Sequence, residues 1–176
     1  NLIATLASQN IDLDWVTPER ILVSERPSYS KPASLLSFNP KTKKVEVLIN
    51  DQPGLMLNWS ANKEMALISK TSPLTGSKLY LANKKIEVVT ELPFLAFPSK
   101  CAFSEDNKTL ACSVPLPQEI RKKWRFPDDW LIQEPTLSET LYLIQITDGG
   151  LYTQTVLSDV NIGKIKISII KDRKQV

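Results

Sequence analysis

From residue 11 onward the chain alternates short apolar runs with polar turns, and no run keeps a helical spacing for long. ILVS (21–24), VEVLI (45–49), MALIS (65–69), LYLA (79–82) and LYLIQI (141–146) are rich in β-branched, aromatic and aliphatic residues. Such side chains suit a pleated, half-buried surface, and the Asn, Asp, Pro and Gly between them turn the backbone sharply. Asn62, Asp106–Asn107, Asn39–Pro40 and Asp148–Gly149–Gly150 are the main punctuation. A helix would need ten or more residues with 3.6-residue periodicity and few breakers, and Pro and Asn interrupt too often for that. The pattern predicts an all-β chain of short strands.

The strands recur with a fixed period. Trp15, Trp59 and Phe103 stand 44 residues apart and head WVTPERILVS, WSANKEMALIS and FSEDNKTLACS. A second strand pair follows in each copy, at 35–49, 79–89 and 141–157, and Leu35 and Leu79 keep the same interval. Leu141 comes 62 residues after Leu79, so the third copy carries about 18 extra residues between its second and third strands. Four strands per period of this length is the signature of propeller blades rather than of a helical solenoid. The expected fold is therefore a β-propeller fragment with four-stranded blades at 11–50, 54–91 and 99–158 and an insertion loop at 115–139 in the third. Partial blades are expected at both ends, in residues 1–10 and 160–176, where Ile167–Ser168 takes the place of Phe103–Ser104. Closed rings need about four to eight blades. Three would leave sheet faces open, which favours a larger parent or self-association.

WSANKEMALIS and FSEDNKTLACS resemble the W-S-P-D-G-K-x-[IL]-A-[FY] core of TolB-like propeller repeats, relatives of the WD-repeat class. Ala61–Asn62 and Glu105–Asp106 replace the Pro-Asp of that core, and Asn107 replaces its Gly. The third copy, KCAF…LACSVPLP…FPDDW, also resembles bacterial extracytoplasmic propellers in which a Cys pair and a Pro-Asp-x-Trp loop mark one blade. The resemblance implies a non-enzymatic module that binds or scaffolds a protein or peptide, in a periplasmic or cell-surface setting. Its alternative implication is the non-catalytic gating propeller of a larger, prolyl-oligopeptidase-like hydrolase.

Composition narrows the chemistry. The 176 residues contain no His, which removes Ser-His-Asp triads, Cys-His dyads and His-containing zinc sites from this chain. Two Cys cannot complete a structural zinc site, and neither a cofactor nor a metal is expected. No catalytic set is evident, so the chain is not expected to be an enzyme by itself. A formal charge of +3 is mild for a nucleic-acid binder, and no aromatic residues interleave with the basic turns, so no nucleic-acid partner is expected. No apolar run approaches the ~20 residues of a membrane-spanning helix. The Asn1 start leaves room for an upstream signal or anchor.

Three groups of residues carry the functional expectations. Cys101 and Cys112 flank a turn centred between Asp106 and Asn107, which places them opposite each other on one hairpin, within disulfide reach. One copy earlier the same positions are Leu57 and Ile68, so two buried thiols acting as small hydrophobes are the alternative. The aromatic column of Trp15, Trp59 and Phe103 is expected to pack between blades rather than to serve as a stacking platform. The insertion holds Trp124 and Trp130, a basic cluster that includes Arg121 and Arg125, and the pair Asp128–Asp129. It reads either as a binding loop or as a flap covering its blade. Antiparallel order places the insertion on the rim that also carries the 24–34 and 92–100 segments. Partner binding is therefore expected there, through Trp124, Arg125, Trp130, Arg121, Tyr29 and Phe94.

Overall fold

The computed structural model describes residues 10–115, 125–129, 139–147 and 150–160, the last of these by backbone alone. Twelve strands form three antiparallel four-stranded sheets, each in simple sequential order. The first holds β1 (Ile11–Thr17), β2 (Arg20–Glu25), β3 (Pro32–Phe38) and β4 (Val45–Pro53). The second holds β5 (Met56–Trp59), β6 (Met65–Ser72), β7 (Gly76–Asn83) and β8 (Val88–Glu91). The third holds β9 (Cys101–Phe103), β10 (Thr109–Pro115), β11 (Glu139–Thr147) and β12 (Gly150–Val160), and a 3₁₀ turn at Pro98–Lys100 leads into it. The first sheet runs to Pro53 and the third to Val160, slightly beyond the limits read from sequence. The expected partial blades at 1–9 and 161–176 lie outside the described residues.

Period-two alternation assigns each strand's side chains to two different seams. In β6, Ala66 and Ile68 pack toward the first sheet with Leu22, Leu35 and Trp59, whereas Leu67 packs toward the third with Leu110, Cys112 and Ile144. Ala66, Leu67 and Ile68 are all fully buried, so the middle sheet is covered on both faces. Each leucine withdrawn from water in these seams contributes about 2 kcal/mol.

The hairpins explain the echoed motif. Ser60 and Ser104 each accept a bond from the N–H five residues on (Met65 and Thr109) and donate to the side chain two residues on (Asn62 and Asp106). Lys63 and Asn107, three residues after the Ser, have φ of 60° and 58°, the left-handed conformation that Gly adopts without steric cost. Asn39 and Asn83, again 44 apart, organise the β3–β4 and β7–β8 turns in a related way, with their side-chain oxygens accepting bonds from the following N–H groups. Lys43 and Ile86 take the positive φ in these two turns.

The aromatic column divides. Trp59 and Phe103 are 9% and 8% exposed, each against the preceding sheet, but Trp15 is 61% exposed. The expectation that all three are packed between sheets is corrected for Trp15. No described residue stands where a preceding sheet would cover it.

Candidate functional site

The loops joining second to third strands, and those joining one sheet to the next, gather on one rim. Gly54 makes the first crossing at φ 65°, and a Cβ there would lie 2.1 Å from the Thr71 hydroxyl, so only Gly fits. Its N–H donates to the Ser28 carbonyl, tying the crossing to the 26–31 loop. Asn58 donates to the carbonyls of Pro98 and Cys101 and fixes the second crossing against β5.

Residues 125–129, the described part of the insertion, fold back across this rim. Phe126 is buried against Phe97 at a ring-centroid distance of 4.4 Å, and Pro127 is buried beside it. The Ser77 hydroxyl donates to the Phe126 carbonyl at 3.2 Å. Asp128 reaches the first sheet's loop, accepting from the Tyr29 N–H at 2.8 Å and the Ser28 hydroxyl at 3.1 Å. Asp129 accepts from the Arg125 N–H and pairs with its guanidinium at 3.6 Å. Both carboxylates are therefore engaged within the protein, and they turn toward different partners.

Beside this strap lies a cleft of about 610 Å³. Gly76–Ser77–Lys78, the Glu91–Leu95 segment, Tyr29, Pro115 and Phe126 line it. Phe94 rests on Tyr142 with ring centroids 5.2 Å apart and is half-buried. Lys78 and Glu91 pair at 2.9 Å, and the hydrogen bond to Glu91 holds the Lys78 ammonium above its ordinary pKa. The cleft thus combines apolar walls with a charge pair that is already internally satisfied.

No family model matches the chain, and no curated protein matches it. Several solved structures do. The tricorn protease superposes with a TM-score of 0.54 at 8% identity, over 85% of this chain and 13% of that one. The β-propeller domain of the Trilobed protease from Pyrococcus furiosus gives 0.52 at 13% identity, over 86% and 44%. The acylaminoacyl peptidase of Pyrococcus horikoshii gives 0.50 at 12%, over 85% and 26%. The described residues form three blades of a β-propeller. It spans less than half the length of each of these three proteins, and at such identities the likeness establishes the fold alone.

Of the residues expected on the binding rim, Tyr29 and Phe94 line one cleft, from the first blade and from the link between the second and third. Arg125 lies on the strap, exposed and paired with Asp129. Trp124, Trp130 and Arg121 lie outside the described residues. Cys101 and Cys112 are directly paired across β9 and β10 and are disulfide-bonded. Sequence reasoning missed Phe126 as an anchor, Asp128 as a link to the first blade, and the Lys78–Glu91 pair. The apolar Phe126–Pro127 step amid charges was the available signal for the first.

Proposed function

We propose that this chain is the non-catalytic propeller part of a larger, peptidase-type protein and that its rim cleft holds an extended peptide segment. The cleft carries the reading: Tyr29 and Phe94 line a space of about 610 Å³ whose charged lining among the described residues, Lys78 and Glu91, is an internal pair. Such a surface suits an apolar side chain flanked by main-chain amides better than a highly charged ligand. Likeness to propellers of tricorn and acylaminoacyl-peptidase type supports the context. The Ser-x-Asn/Asp turn with a left-handed residue after it supports the narrower, TolB-like assignment. A scaffolding propeller without any attached hydrolase would use the same cleft.

The test is calorimetric titration with end-capped hexapeptides carrying a central Phe or Leu, against matched peptides with Asp at that position. Binding of the apolar peptides should weaken by about tenfold in Phe94→Ala and in Tyr29→Ala. Equal affinity in wild type and both variants would sink the proposal. An oxidising, extracytoplasmic compartment is part of the same reading, supported by the Cys101–Cys112 bond. Denatured, unreduced protein purified from its native host should then show no reactive thiol.

A further inference from the structure

The cleft contains an open strand edge. β7 runs for eight residues but β8 for only four, and their ladder ends where the Leu92 N–H donates to the Leu79 carbonyl. Main-chain groups of successive strand residues point to opposite sides, so Ser77 faces the same way as Leu79, toward the row that β8 leaves. The β6 side agrees. The Ser60 N–H donates to the Met65 carbonyl, which turns the odd-numbered residues of β6 toward β5 and the even-numbered ones toward β7. Ser77 stands opposite Thr71, whose carbonyl accepts from the Gln52 side chain instead, so β6 gives Ser77 no ladder bond.

Phe94 would oppose Ser77 if the β7–β8 register continued, but it packs on Tyr142. No described residue pairs with the Ser77 N–H or carbonyl. Ser77 is half-buried, and a Cβ added to the adjacent Gly76 would meet no atom within 4 Å, so the edge has room beside it. An unpaired strand edge of this kind is a template for another extended chain. The cleft lies between the second and third blades, so further blades of a larger protein would add beyond it and not within it.

We propose that the peptide in this cleft binds as a short antiparallel strand on β7, in line with β8, with one residue exchanging two main-chain hydrogen bonds with Ser77. That pairing rests on the reading of the cleft as a peptide site and specifies how the peptide is held. Opposed residues share a face, so the side chain of the pairing residue lies on the side where the Ser77 hydroxyl reaches the Phe126 carbonyl. Its two neighbours turn their main chain away from β7. The ligand is therefore an extended segment with a free amide and an uncharged side chain at the pairing residue, since Lys78 and Glu91 already satisfy each other.

Calorimetric titration with N-methylated peptides tests this. In the end-capped hexapeptide with a central Phe, a methyl on the Phe nitrogen removes the donor to the Ser77 carbonyl and should weaken binding by more than about tenfold. A methyl on the next nitrogen, which points away from β7, should change binding by less than about threefold. Ser77→Ala keeps the main chain and should keep the contrast between the two methyls. The Ser77 amide should exchange hydrogen rapidly in the free chain and slow by about tenfold or more at saturation with the unmethylated peptide. Equal effects from the two methyls, or a loss from the neighbouring one alone, would overturn the strand pairing and leave the cleft reading intact. A Ser77 amide as protected in the free chain as that of Lys78, which faces β6, would also overturn the pairing alone, because the chain's own residues would then fill the edge. Failure of the unmethylated peptide to bind would overturn both readings.

Discussion

At the scale of single residues, the hairpins depend on a few positions where the backbone is left-handed. Lys43 holds φ 58° on an exposed turn, whereas Gly takes this conformation without steric cost. Lys43→Gly should therefore stabilise the protein by about 1 kcal/mol, even after the added freedom of Gly in the unfolded chain. Denaturant unfolding with an unchanged slope would show it. The two echoed turns should also differ in acid. Asp106 is held below the ordinary carboxylate range, first by the Ser104 hydroxyl and then by the Lys108 N–H, while the second blade has Asn62 in its place. A lowered folded pKa gives stability that is complete above the unfolded value and is lost as pH falls through the folded one. Asp106→Asn should flatten the acid limb of the stability profile below about pH 4, the variant lying slightly below wild type at neutral pH and converging with it in acid. Thermal melts from pH 2 to 7 would show this.

At the scale of elements, the strands were the most legible feature, because a two-residue alternation records which seam each side chain enters. The 44-residue interval relates the three described sheets, and Asn39, Asn62 and Asp106–Asn107 stand in described hairpin turns. The insertion was less legible. Its composition suits a binding loop, yet what fixes Phe126 is the Phe97 ring of another element, and Asp128 answers a loop about a hundred residues earlier. Contacts of that range leave no local periodicity to read. The described part of the insertion acts as a strap across the rim, and its Phe126 lines the cleft, while Trp124 and Trp130, on which the flap and binding-loop readings rest, lie outside the described residues. Phe126→Ala should cost about 3 kcal/mol and should also weaken peptide capture. Phe94→Ala, at the half-buried wall, should weaken capture with a much smaller loss of stability. Melting temperature and titration of the same two variants would separate the roles.

At the scale of the whole molecule, stability is shared between neighbouring blades through two seams, as in other repeat folds. Trp59→Ala removes the largest side chain from the first seam and should cost about 3–5 kcal/mol. In hydrogen exchange, protection should fall most in the first and second blades and least in β9 and β10. The column that contains Trp59 also shows where a repeat can mislead. The 44-residue spacing marks Trp15, Trp59 and Phe103 as equivalent, but burial depends on a neighbour, and a periodic sequence does not say whether its first copy has one.

The strap has one more consequence, in the order of biosynthesis. As the chain leaves the ribosome from its N-terminus, the first two blades and Tyr29 emerge well before Phe126 and Asp128 exist. The wall that Phe126 contributes, and the anchor that Asp128 gives to the Tyr29 loop, arrive only with the third blade. A nascent chain stalled before residue 125 would therefore present this cleft without the Phe126 wall and without the Asp128 anchor of the Tyr29 loop.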